Sequence, residues 1–194
     1  MSSNSTLQER EDPRVIRTRA MIEDAFGELL EKEGFRSLTV RAIAERAGIN
    51  RATFYAHFPD KYGLLDHFIR EAFRREIEKR TLDACHYSLE NLAALILALC
   101  DFVGAAHDHC ATADARFESL VEAQVKRELQ DLLEFWLAGS DSDVDVRTAA
   151  TAASWAIYGL VAQWSHDNPS DRPSAEAFAN STLPLVAANL GQPA

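Results

Sequence analysis

The chain has little that belongs to an oxidising or lipid environment. Its three cysteines, Cys85, Cys100 and Cys110, are an odd number without CxxC spacing, which argues for reduced thiols and against a disulfide framework. The longest apolar run, from Leu92 to Cys100, stops at Asp101, far short of the roughly 20 residues that cross a bilayer. The opening MSSNSTLQEREDPR is polar and lacks the apolar segment of a secretory signal. A cytoplasmic location with no membrane partner is therefore expected. Eight glycines and six prolines, scattered, are too few for a low-complexity segment. HExxH, GxSxG and a phosphate-cradling glycine loop are all missing, and the carboxylates stand singly on polar faces. No catalytic residue, no cofactor and no enzyme activity is expected.

What is present suits a folded, charged, helical protein. The 194 residues are 47% hydrophobic and 26% charged, a globular balance with room for one domain or two small ones. The net charge of −10 argues at first sight against a nucleic-acid partner. Its distribution does not: residues 1–80 hold 15 basic and 14 acidic side chains, residues 81–194 hold 5 and 16. A near-neutral N-terminal part can carry a basic face, while the acidic remainder should point away from phosphates.

Hydrophobic periodicity reads as helix throughout, with no strand pattern and no repeat. Over 14–33, Ile22, Ala25, Phe26, Leu29 and Leu30 form one apolar stripe, ended by Gly34. A second helix spans about 40–47, capped by Thr39 and closed at Gly48, where a left-handed residue is needed. A third follows Asn50, carries Phe54 and Phe58 on one face and ends at Pro59; Asp60 then caps a longer helix over 61–80. Further helices are expected over 89–106, 117–137, 146–164 and 174–190, with GSDSDVD as a loop and Pro184 kinking the last. The helix over 146–164 is apolar nearly all round and needs cover on more than one side. The fold class is all-α: a disordered arm (1–13), a three-helix helix-turn-helix domain (14–60), and a helical bundle (61–194), to which the family resemblance described below assigns ligand binding and dimerisation.

Two short helices around a glycine turn, in LTVRAIAERAGINRATFYAHF, make a helix-turn-helix, whose second helix enters the major groove. Its outer face offers Arg51, Thr53, Tyr55, His57 and Lys61. Arginine donates twice to guanine, threonine reads by hydroxyl or methyl, and Tyr, His and Lys suit phosphate oxygens.

Over about 18–68 the sequence resembles the TetR family of transcriptional regulators: a first helix ending in EGF, a Thr before the second helix, the IAERAGI core, and the TFYAHFPDK run. Asn50 stands where the family usually has Ser, and Tyr62 where an acidic residue commonly follows the Lys. The resemblance implies phosphate contacts from Thr39, Arg41, Tyr55, His57 and Lys61, and base contacts from Arg51 and Thr53. It also implies a ligand-responsive regulator, in the first place a repressor, that binds palindromic double-stranded operator DNA as a homodimer and is released by a small-molecule effector. The dimer would form through the helices over 146–164 and 174–190, with Ala149, Ala153, Ala156 and Gly159 allowing close approach. Phe102, Phe117, Leu120, Trp155 and Tyr158 are the expected effector-lining residues. Arg10, Arg14, Arg17 and Arg19 offer a further basic edge to the DNA backbone. His107, His109 and Cys110, with Asp108, Cys85 and His86, have metal-ligand chemistry, but neighbours on a helix point apart, and no metal site is expected. An interaction protein on the same scaffold would instead bind DNA weakly and with little dependence on salt.

Overall fold

The computed structural model describes residues 12–80, 86–109, 115–138 and 145–191. Most of the expected arm, Cys85, Cys110 and most of the GSDSDVD loop lie outside them, as do the side chains of His107, Asp108 and His109. The described residues form eight helices and no strand.

Capping chemistry sets the helix starts. The Asp12 carboxylate accepts from the Arg14 N–H at 2.9 Å, and Pro13 occupies the first position of α1 (Pro13–Ser37), where its missing N–H costs nothing. Ile22, Ala25, Phe26, Leu29 and Leu30 form the buried stripe. Gly34, at φ 72° and ψ 154°, breaks the helical path before a last short turn. Thr39 Oγ1 accepts from the Ala42 N–H at 3.1 Å to open α2 (Val40–Arg46), which buries Ile43 and Ala44. Gly48, at φ 69°, turns the chain after it. Asn50 Oδ1 accepts from the Thr53 N–H at 2.7 Å at the head of α3 (Arg51–His57). Asp60 Oδ1 takes the N–H groups of Tyr62 and Gly63, both at 2.8 Å, at the head of α4 (Lys61–Arg80).

The chain divides into two compact units, the first ending at Leu64 and the second starting at Leu65, four residues beyond the expected border. The first holds α1 to α3 and the first turn of α4. The second holds the rest of α4 with α5 (Leu89–His109), α6 (Ala115–Leu137), α7 (Val146–His166) and α8 (Ala175–Asn189). α7 packs against α5, α6 and α8. Leu95, Leu99, Val125, Leu129, Leu133, Ala150, Ile157, Val161 and Val186 fill the middle, and Trp164 stacks on Phe178 with ring centroids 5.5 Å apart. α8 runs through Pro184, which sits exposed together with Asn180, the residue whose carbonyl a proline at this position leaves without a helical donor.

α7 is not covered all round by its own chain. Ala152, Trp155, Gly159 and Gln163 stay exposed along one stripe. Ala149 and Ala153, expected to let a partner helix approach, are instead buried inside the chain, because they lie beside that stripe, toward the packed side of α7; Ala156 is half-buried.

Candidate nucleic-acid interface

The recognition surface follows from how α3 is held. Phe54 is fully buried and Phe58, the C-cap residue, nearly so, their rings 5.9 Å apart. Two aromatic rings at i and i+4 fix the helix from behind. The opposite face, Arg51, Ala52, Tyr55 and Ala56, is exposed. From Arg46 to Pro59 the sequence has no carboxylate, so nothing on this helix repels phosphate.

The three arginines around the turn are in different circumstances. Arg41 donates to Glu45 at 2.7 Å, a fully exposed pair whose hydrogen bond raises the guanidinium pKa. Arg46 is paired with Glu28. Arg51 has no ion pair among the described residues, and its guanidinium lies 6.0 Å from the centre of the Tyr55 ring. An uncommitted guanidinium at the start of a groove-sized helix is the group best suited to donate twice to a guanine edge. Thr53 is half-buried and its hydroxyl donates to Asn50 Oδ1 at 3.0 Å, leaving its oxygen as an acceptor and its methyl for contact. Tyr55 is 47% exposed, with its ring edge-on to Phe54. His57 is half-buried; its Nδ1 is enclosed without a partner, so Nε2 is the nitrogen left to meet one. Thr39 is exposed and acts as a cap.

Lys61 is placed differently from its neighbours. Its ammonium donates to the carbonyls of Phe35 (3.1 Å), Arg36 (3.4 Å) and Leu38 (2.9 Å), and it lies 4.6 Å from the Phe35 ring centre and 5.6 Å from that of Tyr62. A lysine has three N–H donors, and all three serve carbonyls at the end of α1. A phosphate contact would require it to give one up. The signal for this role was the exposed carbonyls at a glycine-broken helix end, which a cation satisfies well.

In the second unit the five expected effector-lining residues stand on α5, α6 and α7 in different surroundings. Trp155 is 63% exposed and Tyr158 half-buried, and both rings face Lys126, whose ammonium is 3.5 Å and 5.6 Å from their centres. Burial pushes the Tyr158 hydroxyl up to about 12, helped by Glu122 and Glu118. Phe102 packs edge-on against Phe73 of α4 with centroids 5.5 Å apart, while Phe117 and Leu120 are half-buried on α6. Trp155 alone of the five borders an open surface groove of about 460 Å³, with Glu122, Lys126, Arg127 and Gln130. Sequence reasoning missed Gln124, fully buried in α6; a lone Gln inside an apolar stripe was its signal. His86 is exposed, and no group of three metal-ligating side chains occurs among the described residues. Nor is any helix among them long and apolar enough to cross a membrane.

Residues 24–68 match the profile of the bacterial regulatory proteins of the tetR family, a span that holds α2, α3 and the helix ends around them. The HTH-type transcriptional regulator YxbF of Bacillus subtilis is 35% identical over 95 residues, 45% of this chain and 25% of YxbF. The tetracycline repressor protein class G of Vibrio anguillarum is 33% identical over 89 residues, 44% of this chain and 42% of the repressor. The chain thus spans between a quarter and about two fifths of these relatives. The crystal structure of a TetR-family regulator from Streptomyces coelicolor shares the fold at a TM-score of 0.67 and 18% identity, covering 94% of this chain and 99% of that one. Residues 24–68 thus carry a helix-turn-helix of the kind found in the bacterial regulatory proteins of the tetR family, and the all-helical fold is similar to that of a TetR-family regulator.

Proposed function

We propose that the protein is a ligand-responsive repressor that binds palindromic operator DNA as a homodimer in the cytoplasm and is released by a small molecule. The observation that carries this reading is the outer face of α3: exposed, free of carboxylate, held from behind by Phe54 and Phe58, and headed by Arg51, which has no ion pair among the described residues. Arg51 and Thr53 read base edges, while Thr39, Arg41, Tyr55 and His57 fix the register on phosphates.

The dimer is supported by exposed small and apolar residues on the last two helices. α7 leaves Ala152, Trp155 and Gly159 uncovered, and α8 leaves Ser181, Pro184, Leu185 and Ala188. Leu185 is 61% exposed. Pairing these stripes across a twofold axis covers them and sets two recognition helices on a site of matching symmetry.

The effector binds among α4 to α7. It works by favouring one spacing of the recognition helices over another, with α4, which runs from the first unit into the second, as the moving element. Moving occupancy from 99:1 to 1:99 takes about 5.5 kcal/mol, which two ligands per dimer, each coupled by roughly 3 kcal/mol, supply.

Selection of bound fragments from the host genome tests the reading. Enrichment of one palindromic sequence is expected, and its half-sites should lie about one helical turn apart. Recovery of fragments with no shared sequence would contradict it.

A further inference from the structure

α6 buries a polar side chain where an apolar one would pack at no cost. Gln124 is 1% exposed, and its Nε2 donates to Glu128 Oε1 at 2.7 Å. A carboxylate only accepts, so that bond settles which end of the amide is which. The other end, Oε1, is enclosed and has no hydrogen-bond partner. Native proteins keep few buried acceptors in that condition, because each one forfeits its hydration.

Two further observations give this acceptor a setting. The Glu128 oxygen that receives Gln124 also receives Arg70 Nε at 2.9 Å, and Arg70 stands on α4. One and two turns before Gln124 on the same side of α6 come Leu120, Val121 and Phe117, all apolar and all only half-buried. Half-buried apolar side chains therefore share one side of α6 with an enclosed acceptor, and that acceptor's side chain is tied through one carboxylate to α4.

We propose that Gln124 Oε1 is the polar contact point of the effector site, and that the effector is a small, mainly apolar molecule carrying a neutral or cationic O–H or N–H donor. This deepens the regulator reading and rests on it. Anionic groups are rejected at this point, since Gln124 Oε1 and Glu128 present only lone pairs. A donor at Oε1 polarises the amide and strengthens its N–H bond to Glu128, which alters the hold of that carboxylate on Arg70. Effector binding is thereby felt on α4 through side chains already in contact.

Three probes of equal chain length test the assignment on the full chain: decan-1-ol, decyl methyl ether and decanoate, titrated by intrinsic tryptophan fluorescence and by thermal shift. Decanol should bind about tenfold more tightly than the ether, the worth of one hydrogen bond, and more tightly than decanoate. Gln124→Met, unbranched and of similar volume, should remove the preference for decanol over the ether and leave the probe-free Tm unchanged or raised. Decanoate binding as well as decanol, a preference that survives in Gln124→Met, a lowered Tm of that variant, or no binding of any probe would each overturn the proposal. The titration needs no DNA, so a failed operator assay beside intact probe selectivity would sink the regulator reading alone.

Discussion

Arg51 and Lys61 are cations ten residues apart, and their surroundings assign them different work. Arg51 has no ion pair among the described residues, so Arg51→Ala should cost about 1–3 kcal/mol at one operator position and little on random DNA. Operator titrations with single base-pair changes would show this, and equal losses on operator and random duplexes would remove Arg51 from base reading. Lys61 satisfies three carbonyls at the end of α1. Lys61→Met should therefore lower stability by about 1.5–3 kcal/mol in urea unfolding, the scale of hydrogen bonds to a charged group, and leave the salt slope of DNA binding intact. A slope reduced by about 1 would mark Lys61 as a phosphate contact instead. Cys100 gives a pH test. Burial pushes its thiol up to about 12 from an ordinary 9.0, so the folded state holds this proton more tightly than the unfolded one. Its contribution to stability is complete below pH 9 and is lost as pH rises toward 12. Under native conditions near pH 8, Cys100 should resist alkylation, as followed by peptide mass spectrometry, and should react once the chain is unfolded.

At the scale of elements, the turn between α2 and α3 depends on a left-handed residue. A Cβ on Gly48 would meet nothing within 4 Å, so Gly48→Ala isolates the backbone cost, about 1–2 kcal/mol by the usual left-handed penalty. Unchanged stability on denaturation would contradict the assignment of this turn. The helices of the first unit were legible in the sequence because their signals are local: Thr39, Asn50 and Asp60 as caps, Gly34 and Gly48 as stops, Phe54 and Phe58 at one-turn spacing. The role of Lys61 was not legible, since its partners lie 23 to 26 residues away and depend on how the end of α1 meets the start of α4. Ala149 and Ala153 are a similar case: small residues lie both on and beside the exposed stripe of α7, and only the packing of α5, α6 and α8 decides where cover by the chain ends. The surroundings of the expected effector residues were least legible. Aromatic identity singles out Phe102 and Trp155, but not that one packs on Phe73 and the other lies open beside Lys126.

At the scale of the whole molecule, the division of charge matches a division of labour. The near-neutral unit carries the carboxylate-free helix proposed to meet DNA, and the acidic one carries the exposed stripes of α7 and α8. In the proposed twofold interface Leu185 would occur twice, so Leu185→Glu should forfeit about 3 kcal/mol or more of burial, on the order of 100-fold in dimer affinity. Analytical ultracentrifugation should find this variant monomeric at concentrations where the parent is dimeric, and operator affinity should fall with it. A variant that stays dimeric would place the interface elsewhere.

The most direct test of the central claim is fluorescence anisotropy of a labelled duplex taken from just upstream of the protein's own gene, titrated beside a scrambled duplex at two salt concentrations. Tight binding to the upstream duplex alone, weakening steeply with salt, is the expected result. Equal and weak binding to both duplexes, with no sequence recovered from the rest of the genome, would contradict the account.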